Sequence, residues 1–172
     1  MMLKSEKKLA ELRKILSLGK YNEITHRISM LRTEEPFEGA ISLLAHFYDE
    51  TVDKGLKLLI SGFFNDMKER SGQAEVIESI SSVSNPASKA MLASSCWQSG
   101  LDYSEHAAAL AEIFMISDYM TSLECFTVLD GCAQIISDSD KSGIITRIEA
   151  GINTFEKDKQ KLARELISVL KA

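Results

Sequence analysis

One self-similarity constrains this chain more than any other feature. The stretch that opens at Asn85 repeats at Asp118 with a constant offset of 33. Ala87 falls on Met120, Ser88 on Thr121, Ala90 on Leu123, Leu92 on Cys125, Ala93 on Phe126, Ser94 on Thr127 and Cys96 on Leu129. Small or apolar residues meet apolar ones, and hydroxyls meet hydroxyls. A period in the thirties marks stacked helical hairpins, because a single hairpin cannot bury its own apolar face and needs a neighbour. The helix signals agree. Asn85 suits an N-cap with Pro86 at the first helical position, where the missing N–H has no helical partner to lose. Asp118 suits the N-cap of the second copy. Asp102 and Glu105 have capping-box spacing, and Gly100 is placed for a left-handed helix end.

The rest of the chain reads as further helices. Leu9, Leu12, Ile15 and Leu16 form an apolar stripe at helical spacing over Lys4 to Leu18, which Gly19 ends. A second helix over Tyr21 to Leu31 carries Ile24, Ile28 and Leu31 on one face. Thr33 to Pro36 is a break, because the residue before proline leaves the helical region. A third helix is expected from Pro36 through Tyr48. A fourth, capped by Asp49-Glu50-Thr51, runs to about Glu69 with Val52, Leu56, Ile60, Phe63 and Phe64 among its buried residues. A shorter helix spans Ala74 to Val83. After the central repeat, Asp138 to Gly143 reads as a polar loop, Ile144 to Ile152 as a helix, and Asn153 with Glu156 as the cap of the last helix. The pairs start near Lys4, Pro36, Gln73, Asp102 and Ser142. The expected fold is therefore all-α, an α-α superhelix of about five helix pairs, with residues 1–172 as a single domain. An irregular helical bundle is the alternative.

Charge is unevenly spread around the net −5. Residues 1–33 hold eight Lys/Arg against three acids, and residues 141–172 hold seven against four. Residues 34–85 hold four bases against ten acids, and residues 86–140 hold Lys89 alone against eight. An acidic centre disfavours nucleic acid, whose binding rests on clustered Lys/Arg, and is compatible with a basic protein partner. The start, Met1 to Lys8, has no apolar leader segment. The longest apolar run, Ala107 to Ile116, is broken by Glu112 and is too short for a membrane span. Three cysteines lack CxxC spacing, and Cys125 and Cys132 lie two helical turns, roughly 10 Å, apart. Together these features lead to an expected cytoplasmic location.

Two segments carry a family resemblance. Met91-Leu92-Ala93-Ser94-Ser95-Cys96-Trp97-Gln98-Ser99-Gly100-Leu101-Asp102-Tyr103-Ser104-Glu105-His106 and Asp118-Tyr119-Met120-Thr121-Ser122-Leu123-Glu124 resemble divergent HEAT-like or armadillo-like repeat proteins, among them uncharacterised bacterial ones. The resemblance covers residues 36–137 best. It implies protein binding through a concave surface and brings no catalytic motif. The Asp and Arg positions usual in HEAT repeats are not regularly present.

Candidate residues follow from this frame. Thr121, Glu124, Thr127, Gly131 and Gln134 recur at helical spacing, and Ser88, Met91, Ser94 or Ser95, and Gln98 share their phase in the preceding unit. Trp97, the only tryptophan, aligns with Asp130, which breaks the pattern of matched burial. Its expected place is the inter-repeat core, with a surface anchor as the alternative. The expected partner-binding set is Met91, Ser95, Trp97, Gln98, Thr121, Glu124, Thr127, Asp130 and Gln134. No catalytic residue, metal ligand or cofactor is expected. His26, His46 and His106 have no partner at metal-ligand spacing, and Cys96 has no base near it in sequence. No Gly-rich phosphate loop, HExxH or GxSxG is present. The expected function is a protein- or peptide-binding scaffold. The alternative is a HEAT-like enzyme, of lyase or nucleic-acid-processing type, with a site near Trp97, Glu124 and Asp130.

Overall fold

A computed structural model describes residues 4–172, so the segment Met1 to Lys8 read above lies partly outside the described residues. The described chain forms ten α-helices: α1 (Lys4–Leu18), α2 (Tyr21–Leu31), α3 (Ala40–Glu50), α4 (Lys54–Asn65), α5 (Gln73–Ser82), α6 (Pro86–Gln98), α7 (Ala107–Ile116), α8 (Tyr119–Cys132), α9 (Asp138–Gly151) and α10 (Lys157–Lys171). Each odd helix packs on the even helix that follows it. Odd helices also pack on the next odd helix, and even on the next even, along the whole chain. The result is two layers, odd and even, stacked unit by unit in a helical-repeat arrangement.

The N-caps of the even helices reveal the period. Lys20, Asp53, Asn85 and Asp118 precede α2, α4, α6 and α8 at intervals of 33, 32 and 33 residues. Three of them satisfy an orphan amide at the helix start. Asp53 accepts from Leu56 N–H at 2.9 Å, Asn85 from Ala87 N–H at 2.9 Å, and Asp118 from Thr121 N–H at 3.0 Å. The 33-residue repeat therefore extends over four units, two more than the sequence offset picks out.

Polar links between units follow the same separation. Glu75 on α5 reaches back to the start of α3 and accepts from Gly39 N–H at 2.8 Å and Ser42 N–H at 3.2 Å. Asp49 on α3 accepts from Ser84 and Asn85 N–H at 2.8 and 3.1 Å. Between the layers runs one apolar cluster that includes Leu12, Ile28, Leu44, Ile60, Ile80, Leu92, Leu110, Phe114, Leu129, Ile148 and Leu166. Burying each such side chain contributes about 1.5–3 kcal/mol, so the cluster is the main force holding the layers together.

Five expected boundaries shift. The third helix starts at Ala40 rather than Pro36. Gly39 takes φ 84°, a left-handed turn that Glu75 caps, and a β-carbon there would come within 2.9 Å of Leu9. The fourth helix starts after Asp53, because Asp49 and Glu50 still belong to α3. Val52 is thereby left in the turn at 93% exposure instead of in the core. Asp102 and Glu105 do not form a capping box: Asp102 accepts from Ser104 N–H at 2.9 Å and a 3-10 turn, Ser104–His106, leads into α7. Residues 138–143 are not a loop but the start of α9, capped by Ser137 and favoured by Asp138 and Asp140 in the first turn. Asn153 falls in a 3-10 turn, and α10 begins after Glu156. Among the described residues no helix is long and apolar enough to cross a membrane.

Candidate partner-binding surface

The stacking puts α6 and α8 side by side in the even layer. Their equivalent residues are buried in the same phase. Ser88, Leu92, Ser95, Cys96 and Ser99 on the α6 side match Thr121, Cys125, Val128, Leu129 and Cys132 on the α8 side, and all are buried. That phase decides which expected site residues can meet a partner. Ser95 is 2% exposed and gives its hydroxyl to Leu92 O at 2.7 Å. Thr121 is fully buried, and its hydroxyl has no hydrogen-bond partner. Both belong to the packed side of their helices, so neither sits on a binding surface as expected.

Trp97 is corrected in the opposite direction. It is 46% exposed, not in the inter-repeat core. Its aligned residue Asp130 is exposed too, so the pair keeps the burial pattern that its chemistry seemed to break. The indole N–H crosses to the neighbouring helix and donates to Glu124 Oε2 at 2.8 Å. Among the described residues this is the one hydrogen bond that joins two of the expected site residues. Gln98 is exposed and donates to Ser94 Oγ at 3.2 Å. Met91, Glu124 and Thr127 are half-buried, with the Thr127 hydroxyl on Leu123 O at 3.0 Å. Asp130 and Gln134 are exposed.

The remaining reactive side chains have structural settings. Cys96, Cys125 and Cys132 are buried free thiols. Burial pushes Cys96 up to about 12 and Cys132 up to about 11, and it raises Cys125 too, so none is poised as a thiolate. His46 Nε2 lies 3.3 Å from Ser82 Oγ, and Asp49 is three residues along α3. Both Asp49 oxygens are taken by the Ser84 and Asn85 amides, so this is a capped turn and not a Ser-His-Asp relay. Among the described residues no group of three or more His, Cys, Asp or Glu could hold a metal ion.

Two clefts lie away from this surface, and sequence reasoning found neither. One, of about 340 Å³, sits between the α2–α3 and α4–α5 turns over Leu31, Phe37, Ile41, Phe63 and Met67. Two ion pairs cross its charged rim, Arg32 with Asp66 at 2.7 Å and Glu34 with Arg27 at 2.5 Å. The other, of about 430 Å³, lies between α1 and α3 beside His46. Trp97, Glu124 and Asp130 line neither cleft. Comparison with protein-family models, with curated proteins and with solved structures finds no match to this chain.

Proposed function

We propose that this chain is a HEAT-like helical-repeat scaffold that binds a protein or peptide through the solvent-facing side of its even helices, centred on α6 and α8. The observation that carries the reading is Trp97, a large aromatic side chain held half in water and fixed in place by Glu124 on the next helix. Folding alone favours burying an indole. A tryptophan kept exposed but oriented by a hydrogen bond to its neighbour is the type of residue that anchors interfaces. Gln98, Asp130 and Gln134 are exposed polar residues on or just past the same two helices, and the two-layer stack with its even spacing of caps is the frame on which HEAT-like proteins present such surfaces.

The test is affinity capture from the host's own lysate with the wild type and a Glu124→Lys, Gln98→Ala double variant of equal helicity and melting temperature. A stoichiometric protein held by the wild type and lost by the double variant, with cross-links mapping to α6 and α8, supports the proposal. Equal capture by both forms puts the surface elsewhere.

A further inference from the structure

We infer that the Trp97–Glu124 pair receives a cationic side chain, arginine or lysine, from a basic segment of the partner. The inference rests on the scaffold reading above and specifies the chemistry of what is bound there. Three observations carry it.

The first is how the chain treats several, though not all, of its other aromatic rings. Lys8 lies 5.2 Å over Phe37, Arg32 6.0 Å over Phe63, Lys57 4.8 Å over Tyr48, and Lys159 4.7 Å over Phe155. Among the described residues no Lys or Arg lies over Trp97, although tryptophan offers the strongest cation-binding face of the aromatic residues. The second is that Glu124 has no ionic partner among the described residues. Its Oε2 accepts a neutral indole N–H, so the carboxylate keeps its full charge and its other oxygen. The third is the charge of the segment that carries the pair. Residues 86–140 hold Lys89 as their one Lys or Arg against eight acids. It sits in the first turns of α6, eight residues before Trp97, about 12 Å away along the helix axis. Lys68 reaches the end of α6 from the α4–α5 turn, but its Nζ donates to Ser99 O at 3.1 Å and it lies over no ring among the described residues.

A guanidinium or ammonium placed over the indole within reach of the free Glu124 oxygen satisfies both groups at once. The indole N–H bond to Glu124 holds ring and carboxylate at a fixed spacing before the cation arrives, which lowers the ordering cost of binding. An anionic or purely apolar partner would leave the carboxylate uncompensated as water is expelled.

The experiment uses the full chain with short amidated oligoarginine and oligolysine peptides, and a Gly-Ser peptide as the neutral control. Trp97 is the only tryptophan, so its fluorescence and its single indole N–H resonance report on this site alone. The cationic peptides should give a saturable change in both signals, and the Gly-Ser peptide none. Glu124→Gln preserves an acceptor for the indole and removes the charge; it should weaken cationic binding about tenfold. Glu105→Gln, at an exposed acid of the same segment, should leave affinity within about twofold. Equal affinity for wild type and Glu124→Gln overturns the inference. So does a random-peptide selection whose winners shift the Trp97 resonance without enrichment in Arg or Lys, an outcome that leaves the scaffold reading intact.

Discussion

Arg32 and Trp97 occupy the same place in two different units. Each is the twelfth residue after its N-cap, Lys20 for α2 and Asn85 for α6, and each reaches across to the next even helix. Arg32 meets the Asp66 carboxylate at 2.7 Å, and Trp97 meets the Glu124 carboxylate at 2.8 Å. At the first seam the chain supplies both charges. At the third it supplies an acid and a neutral donor, and the negative charge remains. Equivalent starting positions thus meet acids at different points of the next unit, Asp66 just past the end of α4 and Glu124 within α8, and only the first seam is closed as an ion pair within the chain. The last seam is closed differently again. Lys159 on α10 is buried and donates to Met115 O at 2.9 Å and Ser117 O at 2.6 Å, the carbonyls at the end of α7.

The largest expected effect comes from this last seam. Lys159→Met keeps the length of the stem and removes the ammonium, leaving two carbonyls without their donor. Urea unfolding should show a loss of about 2 kcal/mol. Loss of less than that at Arg32→Met on the exposed first seam would confirm that burial separates the two cations. Thr121→Val should act the other way. The Thr121 hydroxyl is buried without a partner, and exchanging it for a methyl of the same shape should raise stability by about 1 kcal/mol. A loss on the same measurement would mean that the hydroxyl is satisfied in solution.

A smaller effect depends on pH. Burial pushes Asp49 up, but hydrogen bonds from the Ser84 and Asn85 amides outweigh it, so its carboxyl titrates below its ordinary 3.8. A group held below its unfolded value stabilises the fold fully above pH 3.8 and loses that contribution as pH falls through the lower, folded value. Wild-type stability should therefore drop more steeply than that of Asp49→Asn on the acid side of this window, with parallel curves above it. Identical acid limbs would remove Asp49 from the account of how α3 holds the α5–α6 turn.

What the residues disclosed in advance depended on how strongly each position was specified locally. Asn85 and Asp118 stood out because each opens a nearly apolar helix. Asp53 is an equally good cap in the same period, but Asp49-Glu50-Thr51 just before it offered a rival, and only the extra turn of α3 resolves the choice. The start of α9 looked like a loop because a helix at the end of the stack needs only a narrow buried stripe, here Ile144 and Ile148. Its polar first turns are ordinary for such a place. The exposure of Trp97 was within reach of the sequence, since its aligned residue is Asp130, a residue rarely buried unpaired. The Glu124 contact was not, because a separation of 27 residues across two helices depends on their crossing.

The comparison between seams can be tested by converting one into the other. Trp97→Arg places a guanidinium within reach of Glu124, giving the third seam an ion pair as Arg32 and Asp66 give the first. The site is at the surface, where an ion pair contributes little, so stability should stay within about 0.5 kcal/mol of wild type. Arg32→Gln, which opens the first seam, should shift it by no more than the same amount. The consequence for binding is much larger than for folding. With its charge met from within, Glu124 no longer attracts a cation, and affinity for oligoarginine, followed by anisotropy of a labelled peptide, should fall at least as far as in Glu124→Gln. Undiminished affinity in Trp97→Arg would mean that the acidic surface binds cations wherever they land. The difference between the seams would then be one of composition and not of function.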